Sequence, residues 1–114
     1  MRTIILLIFG VVLSTTSLSA QTDAAKGKKI FNGNCAACHK LDKKLIGPAL
    51  GNISDRRKLE WTVEFIKDSK AMIAKGDKDA IEFYNKFNKI PMISYSYLSD
   101  EEILNVIYYL DNVK

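Results

Sequence analysis

Cys35-Ala36-Ala37-Cys38-His39 contains both cysteines and the single histidine of the chain. The spacing C-x-x-C-H is the attachment signature of a c-type haem. Two thiols three positions apart are placed to form thioethers with two substituents on one edge of a porphyrin. The imidazole directly after the second thiol is then held beneath the ring, ready to ligate iron axially as a proximal histidine. Four other readings compete. A thioredoxin-like dithiol uses C-x-x-C between a strand and a helix, yet no strand pattern precedes Cys35. A structural zinc site needs four N, S or O ligands, more than the cysteines and histidine here supply. A disulfide across so short a loop adds little stability. Free thiols in a chance arrangement are the blandest reading. Residues farther along the chain favour the haem.

The opening segment reads as removable. Arg2 gives a positive start, Ile4 to Leu13 form an apolar run, and Ser14 to Ala20 are mostly small and polar. That is the layout of a secretory signal peptide, with cleavage expected after Ala20 even though Leu18 is a weaker match than alanine would be. The apolar run is about half of the about twenty residues that a membrane span needs. An uncleaved N-terminal anchor is the alternative. Export to the periplasm agrees with the motif, since bacteria join c-type haem to its protein outside the cytoplasm.

Residues 21–114 then form one small domain. A chain this short buries a modest share of its surface and commonly needs a staple such as disulfides or a metal. With both cysteines committed, the haem itself must complete the core. The formal charge of +4 includes Arg2, so residues 21–114 carry +3. Two haem propionates would bring this to about +1, too mild a surplus to signal nucleic acid.

Four helical patterns follow, and nothing alternates like a strand. The first covers about Asp23 to Asn34, with Ala24, Gly27, Ile30 and Phe31 on one side. Gly27 disfavours a helix interior by about 0.5–1 kcal/mol against alanine, which points to close approach of another backbone or ring. The second covers about Leu59 to Ser69 and carries Trp61, Phe65 and Ile66. Trp61 is either a core residue or a donor from its indole N–H to a haem propionate. The third runs from about Lys78 to Phe87 with Asp77 a candidate N-cap and an inward stripe of Ala80, Ile81, Tyr84 and Phe87. The last opens with Ser99-Asp100-Glu101-Glu102, a capping box. Ile103, Val106, Ile107 and Leu110 follow as its apolar face, with Tyr109 expected against Gly27.

Two loops bear on the iron. In Gly47-Pro48-Ala49-Leu50-Gly51, Pro48 offers a carbonyl on a stiff turn with no N–H of its own. A metal-bound histidine normally donates its second ring N–H to such an acceptor, so the Pro48 carbonyl is the expected partner of His39. With His39 committed, the candidate sixth ligands are the thioethers of Met72 and Met92. Met92 is preferred: it lies in Lys89-Ile90-Pro91-Met92-Ile93-Ser94, a non-helical link stiffened by Pro91, whereas Met72 has no such punctuation.

Together these residues resemble the small class I cytochromes c of bacteria. The matching residues are Gly27 and Phe31, Cys35 to His39, Gly47-Pro48, Ile90-Pro91-Met92, and Leu98 through Leu110. The resemblance implies an all-α cytochrome c fold, about four short helices wrapped around one covalently attached haem, with the first and last helices crossing. It also implies that His39 and Met92 are the axial ligands, with the proline carbonyl holding the histidine. The stretch from Gly51 to Asp77 is longer than in the shortest members of that family.

The expected function is a soluble, exported electron carrier, not an enzyme. If both axial positions are filled, substrate has no open iron site. Thioether ligation and burial both raise the potential. Lys26, Lys28, Lys29, Lys40, Lys43, Lys44, Lys86 and Lys89 surround the two loops. They form either a collar that steers an acidic redox partner or an ordinary solvated surface. The alternatives are a haem enzyme or gas sensor with a weak sixth ligand, or a haem-free thiol oxidoreductase.

Overall fold

A computed structural model describes residues 22–113, so the expected signal peptide lies outside the described residues. The chain folds as α1 (Ala24–Asn34), a single 3-10 turn (Ile53–Asp55), α2 (Leu59–Ala74), α3 (Lys78–Lys86) and α4 (Asp100–Asn112). Among the described residues there is no strand. The all-α expectation holds.

The crossing of α1 and α4 is built on Gly27. A Cβ added there would stand 2.0 Å from the Asn105 carbonyl oxygen and 3.0 Å from the Tyr109 Cβ. Only glycine lets the two backbones meet, which justifies its cost to the helix. The Asn105 side chain, itself buried, strengthens the same joint by accepting the Asp23 N–H at 2.8 Å. Asp23 in turn caps α1, its carboxylate accepting from Ala25 and Lys26 N–H. Phe31 and Tyr109 close the crossing with ring centroids 5.7 Å apart.

Helix α4 begins at the expected capping box, with Ser99 and Glu102 each accepting the other's backbone N–H at 3.1 Å. Its Ile103, Val106, Ile107 and Leu110 are all buried. Residues 59–69 were expected to be helical in α2, but the helix continues to Ala74 across a break at Asp68, whose backbone is extended. Helix α3 is capped by Asp77, whose carboxylate accepts the Ala80 N–H at 2.9 Å. That bond, first among several, holds the Asp77 carboxyl below its usual range. An aromatic layer joins α2 to α3: Trp61 stacks on Phe65 at 4.8 Å, and Phe83 meets both.

Candidate functional site

Cys35 ends α1, its N–H bonded to the Phe31 carbonyl at 2.8 Å. The chain then makes one more turn, with the Cys38 and His39 N–H groups both donating to the Cys35 carbonyl at 3.1 and 3.0 Å. This turn delivers both thiols and the imidazole to one place. The following loop folds back on it. Gly47 N–H donates to the Cys38 carbonyl at 2.8 Å, Leu50 N–H to Lys40, and Gly51 N–H to Leu41. Arg56 secures the far end by donating to the Ala49 and Gly51 carbonyls at 2.9 and 3.0 Å.

The result is a fixed histidine. His39 Nδ1 lies 2.9 Å from the Pro48 carbonyl. An acceptor there requires the proton on Nδ1, which leaves the Nε2 lone pair free for a metal. Burial lowers the His39 pKa, against a smaller opposing effect of the Pro48 bond, so the neutral ligand form is favoured. Gly47 lies against the ring: a Cβ there would come within 2.4 Å of Cε1.

His39 and both cysteines line a cleft enclosing about 1090 Å³ of empty space, including solvent at its mouth. Pro48, Pro91 and Met92 line it too, with Phe65, Tyr84, Phe87 and Tyr95 among the apolar walls. Met72 does not line the cleft and is buried in the core at 1% exposure. The two candidate methionines are thereby separated by position. A flat, apolar group bearing a metal fits this donor set: two thiols for its edge, one imidazole with a free Nε2, and one thioether.

The segment carrying Met92 leaves α3 through two non-glycine residues in the left-handed region, Asn88 at φ 59° and Lys89 at φ 55°. Such backbone costs energy for a side chain like lysine, and here it turns the chain toward Pro91 and Met92. Beyond Met92, Tyr95 donates its hydroxyl to the Asn34 carbonyl at 2.5 Å, and Tyr97 donates to the Asn34 side chain at 2.9 Å. Both bonds tie the methionine segment to the residue just before Cys35. Burial, the largest of several causes, pushes the Tyr95 hydroxyl above its ordinary range and keeps it a donor. Sequence reasoning missed this tie; the only signal was two tyrosines two residues apart.

Trp61 sits beside the α3 cap. Its indole N–H donates to Asp77 at 3.2 Å, and Trp61 is not among the cleft's lining residues. In this structure the α3 cap puts the Asp77 carboxylate within reach of the indole, and Trp61 packs on Phe65 and Phe83. Arg57 lies over the Trp61 and Phe83 rings and pairs with Asp79 at 3.0 Å.

The thiols argue against one rival. Burial first, and Cys38 second, push the Cys35 thiol up to about 11. A dithiol oxidoreductase needs a thiolate stabilised well below the ordinary value, the opposite of what this environment does.

The family model for cytochrome c matches residues 24–114. A cytochrome c6 of Diacronema lutheri is 30% identical over 89 residues, 77% of this chain and 93% of that relative. A cytochrome c2 of Rhodopseudomonas palustris is 49% identical over 35 residues, 31% of this chain, and the match spans only 30% of the relative's own length. Among solved structures, a cytochrome c from Rhodothermus marinus is similar at TM-score 0.68 and 28% identity, over 87% of this chain and 85% of that one.

Proposed function

The chain belongs to the cytochrome c family, with one covalent haem c carried on Cys35 and Cys38, and from that premise we propose that it is an electron carrier with His39 and Met92 as axial ligands. The observation that carries this reading is the cleft, where a histidine pinned at Nδ1 by Pro48 shares the lining with Met92. The bound haem supplies a one-electron ferric–ferrous couple. His39 and Met92 would close both axial positions and leave no iron site for substrate. The Met92 thioether favours a high potential. The apolar walls act in the same direction, since low dielectric disfavours the extra positive charge of the ferric state.

The cleft mouth suits transient contact with a redox partner. Ile46, Ile90 and Ile93 line the cleft and are 45%, 50% and 66% exposed. Lys44 stands 5.1 Å over the Phe87 ring beside them, and Lys43, Lys86 and Lys89 are exposed on the same two segments. An acidic partner is the proposed occupant, held through a small, salt-sensitive interface. Residues 1–20 are proposed to act as a cleaved export signal to the periplasm. No helix among the described residues is long and apolar enough to cross a membrane.

The test is reversible one-electron reduction of the purified holoprotein together with exposure of the ferrous form to carbon monoxide. A carrier takes up and returns one electron and resists carbon monoxide. Ready carbon monoxide binding by the wild type would point instead to a gas sensor or haem enzyme.

A further inference from the structure

The break in α2 lies next to a carbonyl that bonds the segment carrying Met92. In an unbroken helix the Lys67 carbonyl would accept the N–H of Ala71, four residues on. Asp68 interrupts that pattern at φ −159° and ψ 80°. Its carboxylate takes the Ala71 N–H at 3.0 Å, acting as an N-cap for the second half of the helix. The Lys67 carbonyl is therefore released, and a released main-chain acceptor needs new partners. It finds two: the Ser94 hydroxyl at 2.8 Å and the Tyr95 N–H at 3.1 Å.

Both donors sit just past Met92, on chain that is neither helix nor strand. Among the described residues, no backbone partner holds the N–H of Met92, Ile93 or Ser94. The Lys67 carbonyl is thus the first main-chain anchor downstream of the thioether. We propose that Asp68 and Ser94 are positioning residues for the sixth ligand, the helix break freeing a carbonyl that clamps the Met92 segment at the cleft. This rests on the His39/Met92 reading above. Removing the Ser94 hydroxyl weakens the clamp directly. Removing the Asp68 carboxylate weakens it indirectly, because Ala71 N–H then competes for the Lys67 carbonyl.

The test is imidazole titration of the ferric holoprotein, read by loss of the sulfur-to-iron charge-transfer absorption, with thermal melting in parallel. Ser94→Ala and Asp68→Ala should each bind imidazole about fivefold more tightly, the scale of one net hydrogen bond. Ser94→Thr and Asp68→Ser keep an oxygen in place and should stay within about twofold of the wild type. Met92→Ala is the reference, lacking the absorption from the start. If it lacks the absorption but both alanine variants bind imidazole as the wild type does, the clamp is overturned and the ligand reading survives. A lowered melting midpoint with unchanged imidazole affinity overturns it equally. If Met92→Ala keeps the wild-type absorption, the ligand reading fails and takes the clamp with it.

Discussion

From Cys35 to Gly51 the chain is held by its own backbone: Cys38 and His39 donate to Cys35, Gly47 to Cys38, Leu50 to Lys40 and Gly51 to Leu41. From Met92 to Leu98 the restraints come mostly from elsewhere. Ser94 and Tyr95 reach Lys67 in α2, while Tyr95 and Tyr97 reach Asn34 at the end of α1. The first region is local and self-supporting, which suits a site where covalent bonds and a fixed imidazole must be aligned. The second is only as firm as its distant partners. Ligand exchange at the iron is therefore expected on the methionine side, while damage to the histidine side should register as lost stability.

Substitutions that separate the two sides test that contrast. The largest effect is expected at Gly27, where alanine would push the Asn105 backbone off α1. Overpacking of this kind costs about 3 kcal/mol, a fall of roughly 12–24 °C in melting midpoint for a domain this size. Because α1 carries the attachment turn and not Met92, the sulfur-to-iron absorption should persist at low temperature. Gly47→Ala comes next at about 2 kcal/mol. Its Cβ meets the imidazole itself, so a shifted reduction potential should accompany the lower melting midpoint, whereas Gly27→Ala should shift the melt alone.

On the methionine side, Tyr95→Phe removes the hydroxyl from Asn34 and should cost about 1 kcal/mol. Faster imidazole uptake in stopped flow would show that the tie restrains Met92, and unchanged uptake would show that the contrast is overdrawn. The smallest effect is a gain. Lys89→Gly relieves a left-handed lysine and should stabilise by about 0.5 kcal/mol once the added freedom of the unfolded chain is set against it. Denaturant midpoints would detect it.

The histidine side was legible from the sequence because its devices are local. C-x-x-C-H announces its own chemistry, and Pro48, nine residues on, was identifiable as the acceptor because a proline turn offers a carbonyl without a competing N–H. Gly27 against Tyr109 and the Ser99–Glu102 box were equally readable, since each is written in residue types that few other structures need. On the methionine side, Pro91 singled out Met92, but the bonds that restrain its segment were not legible. A released carbonyl at Lys67 leaves no mark in the sequence, since Asp68 looks like any polar residue on a helix surface. The bond from the Trp61 indole N–H to Asp77 was unreadable for a related reason, since it depends on where α3 begins in space. Phe83 was also passed over, because its partners Trp61 and Phe65 lie on another helix.

The central claim is that Met92, and not Met72, faces the iron that His39 holds. Both thioethers lie among the described residues, but of the two only Met92 lines the cleft. The direct measurement is the sulfur-to-iron charge-transfer absorption of the ferric protein in the wild type, Met92→Ala and Met72→Ala. The account predicts that Met92→Ala abolishes it, and that Met72→Ala retains it while losing about 2–5 kcal/mol of stability as a core truncation. Retention in Met92→Ala with loss in folded Met72→Ala would contradict it.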